Sequence, residues 1–162
     1  MRINYIPDVV AESVEPYPDA GEGVGIRRYS MGGHRMIDHA LVEIGIGGNV
    51  RRHRPLAEEA MLILAGRGRT ELGGSDDRLA TVEWAAGDLL SAPFGVWRSH
   101  AQRGDEPVRY LRIQNNFIER ALGIKGNLSL DGELPERWPA VLEADRSAFA
   151  GAASVAGADE VG

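Results

Sequence analysis

Two stretches decide how this chain folds: Gly47-Gly48-Asn49-Val50-Arg51-Arg52-His53-Arg54-Pro55-Leu56-Ala57-Glu58-Glu59-Ala60-Met61-Leu62-Ile63-Leu64-Ala65-Gly66 and Gly87-Asp88-Leu89-Leu90-Ser91-Ala92-Pro93-Phe94-Gly95-Val96-Trp97-Arg98-Ser99-His100-Ala101-Gln102. Each is a pair of short runs bounded by glycine or proline. Glycine takes the backbone angles a tight turn requires, and proline cannot donate to a central sheet ladder. Within the runs apolar and polar side chains alternate, the period of a strand with one face buried.

The pattern continues outward. Residues 24–31 and 36–46 alternate moderately, and Gly47-Gly48-Asn49 reads as a turn before a strand at 50–54. Strands are expected at 59–65 and 69–72, then at 79–84 after the hairpin loop Gly73-Gly74-Ser75-Asp76-Asp77. Further strands are expected at 89–92, 96–102 and 107–115. Strands every 8–12 residues with glycine-rich turns and no long helical pattern argue for an all-β sandwich or barrel. The end of the chain differs. Residues 116–122 and 139–149 have helical spacing, Pro139 suiting a first turn. The expected organisation is an extended N-terminal arm (1–22), a barrel (23–116), short C-terminal helices (117–149) and a flexible tail (150–162).

Length and charge bound the function. The 162 residues suit about one domain, and 43% hydrophobic with 26% charged residues is ordinary for a soluble globular chain. A net charge of −6 argues against a nucleic-acid binder, whose footprint is basic. No apolar run approaches the ~20 residues that span a bilayer, and the first residues lack a secretory signal's apolar stretch. With no cysteine, disulfides, thiolate metal sites and cysteine nucleophiles are excluded, and a cytoplasmic location is expected. Any metal must be held by carboxylates and the four histidines His34, His39, His53 and His100.

The two quoted stretches resemble the two sequence motifs of the cupin superfamily. Gly47, His53, Glu59 and Gly66 fall on the spacing of the first motif, and Gly87, Pro93 and Gly95 on that of the second. The resemblance covers about residues 40–115 and implies a double-stranded β-helix, or jelly-roll barrel. In cupins two histidines of the first motif, its glutamate and a histidine of the second hold one metal inside the barrel. Here Pro55 stands at the second histidine position of the first motif, Arg98 at the histidine of the second, and Gln102 at its final asparagine. Shifting the alignment makes His53 the second histidine and puts Arg51 at the first.

Strand alternation offers a substitute ligand. If Arg98 points inward, so does His100. The resemblance then implies a metal set of His53, Glu59 and His100, a two-histidine, one-carboxylate face suited to Fe(II), with Mn, Ni or Zn as alternatives. Arg98 at a ligand position also allows a barrel with no metal. Arg51, His39, Met61, Trp97 and Gln102 are the candidate substrate-binding residues, and His53, Glu59 and Arg98 the candidate catalytic ones.

Three functions follow. The first is a metal-dependent dioxygenase acting on a small aromatic or polyketide-like acid. The second is a metal-free isomerase, cyclase or dehydratase, in which histidine moves a proton and Arg98 steadies an enolate; it predicts an Arg98–carboxylate pair and a cavity open to solvent. The third is a non-catalytic barrel that binds a small molecule. A homodimer is expected, the N-terminal arm adding to a partner's sheet edge.

Overall fold

A computed structural model describes residues 5–29, 37–55, 57–73 and 79–115. All fall in Met1–Ser129, the first of two units into which the chain divides. The helices expected at 117–149 and the tail at 150–162 lie outside the described residues, as does His34. The described part is all-β. A short 3-10 turn, Val9–Ala11, leads into nine strands: β1 (Glu15–Pro16), β2 (Gly21–Tyr29), β3 (Ile37–His53), β4 (Glu58–Ala65), β5 (Arg67–Gly73), β6 (Leu79–Ala85), β7 (Leu89–Ala92), β8 (Trp97–Arg103) and β9 (Val108–Asn115). No described helix is long and apolar enough to cross a membrane.

The strands form one curled antiparallel sheet in the order β6-β5-β8-β3-β9-β4-β7, with β2 on β3 and β1 on β2. The N-terminal arm thus begins its pairing on this chain's own sheet, Glu15 opposite Ile26. The curl depends on β3. Its first part, Ile37 to Ile44, pairs with β9, and its last part, Asn49 to His53, pairs with β8. One continuous strand therefore serves both walls of the barrel. The turn expected at Gly47-Gly48-Asn49 is instead a bend within this strand. The Gly47 N–H is donated to Oε1 of Gln102, which holds the backbone to β8 rather than letting it reverse.

Alternation sets what fills the interior. Ala40, Val42 and Ile44 of β3, Met61 and Ile63 of β4, and Val108 and Tyr110 of β9 point into one buried cluster with Val24, Val50, Trp84 and Leu90. Gly66 and Gly68 are among the glycines that close approach requires. At Gly66 φ is +75°, and a Cβ would lie 2.5 Å from the Pro107 carbonyl oxygen. At Gly68 a Cβ would lie 2.2 Å from the Trp84 ring, so this residue makes room for the indole to cross β5.

Candidate active site

The polar residues of the interior come from three strands. On β8, Arg98, His100 and Gln102 are buried while Trp97, Ser99 and Ala101 are partly exposed. Glu59 projects from β4 on the face of Met61 and Ile63, and Tyr110, Arg112 and Gln114 project from β9. His53 joins them through an irregularity. Val50 lies opposite His100 and His53 opposite Arg98, so β3 spans three residues where β8 spans two. This bulge turns His53 to the side Val50 faces. Its ring stands edge-on to that of His100, 6.1 Å between centres.

Arg98 and Glu59 form the centre. Arg98 has no exposed surface, and its Nη2 lies 3.7 Å from Oε2 of Glu59. Its Nη1 donates to the carbonyls of Ala92 and Pro93, and its Nη2 to that of Ala57. The guanidinium therefore clamps the Pro93-Phe94-Gly95 turn and the start of β4 to β8. Burial alone raises the Glu59 pKa, but Arg98, His100 and Arg112 outweigh it and hold the carboxyl below the usual range. Glu59 is a buried carboxylate.

A chain of polar contacts holds His100. The Trp84 indole N–H donates to Oγ1 of Thr70 at 2.8 Å, and Oγ1 lies 2.8 Å from Nδ1 of His100. On the other side Nε2 of His100 lies 3.6 Å from Oε1 of Glu59. That separation is beyond hydrogen-bond distance and leaves Nε2 buried with no hydrogen-bond partner, while the Thr70 hydroxyl can either donate to Nδ1 or accept from it. His53 has a fixed tautomer. Its Nδ1 is 2.8 Å from the Arg51 carbonyl, which only accepts, so Nδ1 carries the proton and Nε2 keeps its lone pair. Burial pushes the His53 pKa down to about 4, so the ring is neutral at pH 7.

These residues do not fit the expected metal. Arg98 holds the carboxylate that would be the third ligand. Among the described residues no group of three His, Asp or Glu side chains is arranged to hold a metal ion.

The structure brings together His53, Glu59, Arg98 and His100; of the expected substrate-binding residues, Met61 and Gln102 share their interior and Arg51, His39 and Trp97 do not. Arg51 does not share the His53 face: the bulge leaves it exposed, bonded to the Pro18 carbonyl. His39 lies on the side of β3 opposite Ala40 and Val42, across from Tyr29 and Ile113, outside the interior. Met61 is fully enclosed in the core. Trp97 faces outward, with the Arg52 and Arg54 guanidiniums 5.3 and 5.4 Å from its ring centre. Gln102 uses its whole amide structurally, accepting from Gly47 and donating to the carbonyls of Gly104 and Glu106. The sequence reading missed Arg112. Its signal is parity: it stands two residues from Tyr110 and two from Gln114 in a strand whose other side faces outward.

No family sequence model matches the chain, and no curated protein matches it by sequence. Solved structures do. A cupin-2 domain from Rhodospirillum rubrum is 22% identical with a TM-score of 0.54, covering 82% of this chain and 80% of its own. The cupin domain of Schizosaccharomyces pombe Cnp3 is 14% identical with a TM-score of 0.56, covering 74% and 80%. An oxalate decarboxylase from Lactobacillus farciminis, solved as a formate complex, is 23% identical with a TM-score of 0.53 over 63% of this chain. This chain spans only 31% of that decarboxylase. The shared strands and the motif glycines point the same way: the described residues form a single all-β barrel of the cupin fold.

Proposed function

We propose that this barrel is a metal-independent enzyme that moves a proton on a small enolisable substrate, of the isomerase, cyclase or dehydratase type. The observation that carries this reading is the buried Arg98–Glu59 pair, in which an arginine takes the place of a metal-binding histidine and holds the carboxylate. The metal-dependent dioxygenase reading requires Arg98 turned away from Glu59.

His53 is the base. Its Nε2 lone pair is free because the Arg51 carbonyl fixes the proton on Nδ1. It takes the proton from the carbon beside a substrate carbonyl. The C–H electron pair moves into a new C=C bond, and the carbonyl oxygen becomes an enolate oxygen. The two interior guanidiniums stabilise that charge in a region water does not screen. The imidazolium then returns its proton to another carbon in an isomerase, or to a departing hydroxyl in a dehydratase. A base that titrates at about 4 is matched to an acidified C–H, and an anionic intermediate beside it raises its affinity for the proton.

The test is proton exchange from small 2- and 3-oxo acids in D2O, followed by NMR, with wild type and His53→Gln. The metal content of both is measured by elemental mass spectrometry. Exchange by metal-free wild type, slowed ~100- to 10,000-fold in the variant, is the expected result. Exchange that depends on a stoichiometric metal overturns the reading, as does a variant as active as wild type. The working unit in this proposal is a homodimer.

A further inference from the structure

Two buried arginines face the interior, and among the described residues only Arg98 is in an ion pair within 4.0 Å. Arg98 is engaged by Glu59 and three backbone carbonyls. Arg112 is nine-tenths buried, and its Nε is enclosed with no hydrogen-bond partner. Among the described residues it forms no ion pair within 4.0 Å. Its register partners, Ala40 on β3 and Met61 on β4, are apolar. Glu59 attracts it, but the two carboxylate oxygens are nearer to Arg98 and His100. The other acid at this end, the half-buried Asp38 opposite Gln114, has a contact of its own.

An unpaired buried guanidinium is costly, and its planar fork of donors matches a carboxylate. We propose that Arg112 is the anchor for the carboxylate group of a small organic acid bound inside the barrel, with the neighbouring Gln114 amide as a second polar contact. The substrate class is thereby narrowed to small carboxylic acids; this rests on the proton-transfer reading above only for what happens next, not for binding. The roles divide between the two arginines. Arg98 maintains the site's shape, Arg112 binds the carboxylate, and both charges face the enolate.

The direct test watches Arg112 itself. The arginine Nε–H resonances of 15N-labelled wild type are assigned and titrated with acetate, benzoate and oxalate, and with acetamide and benzamide as neutral matches. Saturable movement of the Arg112 Nε–H by at least one carboxylate, and none by the amides, is expected. Arg112→Met weakens the best-binding acid by about 10- to 100-fold, the effect of removing a charge-assisted pair. Arg112→Lys retains part of it. No carboxylate response at Arg112, or equal response to acid and amide, overturns the proposal without any variant having to fold. Binding in wild type and in His53→Gln with no exchange chemistry in either retains the anchor and removes the enzyme reading.

Discussion

Lowering the pH from 7.5 to 5 should weaken the fold mainly through one histidine. An unfolded histidine titrates near ~6.5. In the fold, burial pushes His53 down to about 4, against the hydrogen bond to Arg51 and the attraction of Glu59. The folded pKa is depressed, so between these two values the unfolded chain binds more protons than the folded one. The stabilisation is therefore complete above about pH 7 and is lost as the pH falls toward 4. At pH 5 the loss amounts to roughly 2 kcal/mol, from about 1.4 kcal/mol per pH unit across this window. Glu59 stays out of the way. Its folded pKa is also depressed, so its contribution is lost only below the ordinary carboxyl range, ~4. The assay is urea unfolding of wild type and His53→Gln at four pH values between 7.5 and 5. With a slope of about 1–3 kcal/mol per molar urea, the wild-type midpoint should fall by around 1 M. The glutamine variant, which keeps a donor for the Arg51 carbonyl, should lack that component. If wild type and variant lose the same stability across the range, burial of a neutral His53 is not what sets the pH dependence.

Other consequences are simpler to state. Arg98→Met leaves the Glu59 charge buried without its partner and should cost about 3–5 kcal/mol, whereas Arg98→Met combined with Glu59→Gln should recover much of that loss. A double-mutant cycle by chemical denaturation measures the coupling, and additivity would show the pair to be inert. Thr70→Val strands both the Trp84 N–H and the His100 Nδ1, so a loss of about 1–3 kcal/mol is expected, together with a shift of the Trp84 indole N–H resonance. Leu62 and Leu89 are register partners on β4 and β7 with exposures of 37% and 70%, and β7 ends the described sheet. Light scattering is expected to give twice the monomer mass, and Leu89→Lys to shift it toward monomer; a wild-type monomer ends the homodimer proposal.

The fold was largely legible in the sequence, because buried strands must alternate and glycines mark where the chain bends. Seven of the expected strands recur with ends moved by a few residues, and two others, 36–46 and 50–54, are one. Glycine permits both a reversal and a bend, and here a glutamine 55 residues away decides between them. Motif spacing and parity located His53, Glu59, Arg98 and His100. The same parity failed for Arg51, since a bulge adds a residue that counting by twos does not see. It also failed for His39: β3 has large apolar residues on both sides there, so the pattern does not say which side faces in. Arg112 escaped for a related reason. Residues 108–115 put polar groups on both faces, so parity sets Arg112 beside Val108 and Tyr110 but only the packed barrel shows that this side faces in.

The strand that serves both walls has a bearing on how the barrel comes apart. β3 is 17 residues long, and it holds β2 along one edge and β9 and β8 in succession along the other. Neither wall can peel away without stripping β3 from the other, so no half-open barrel keeps its ladder intact. Amide protons along the middle of β3 should then exchange with solvent together and only through global opening, as one cooperative unit. The same strand makes assembly slow. Its partners β8 and β9 arrive some 50 to 70 residues later in the chain, and the ends of these long loops must meet before the pairing compensates for their lost freedom.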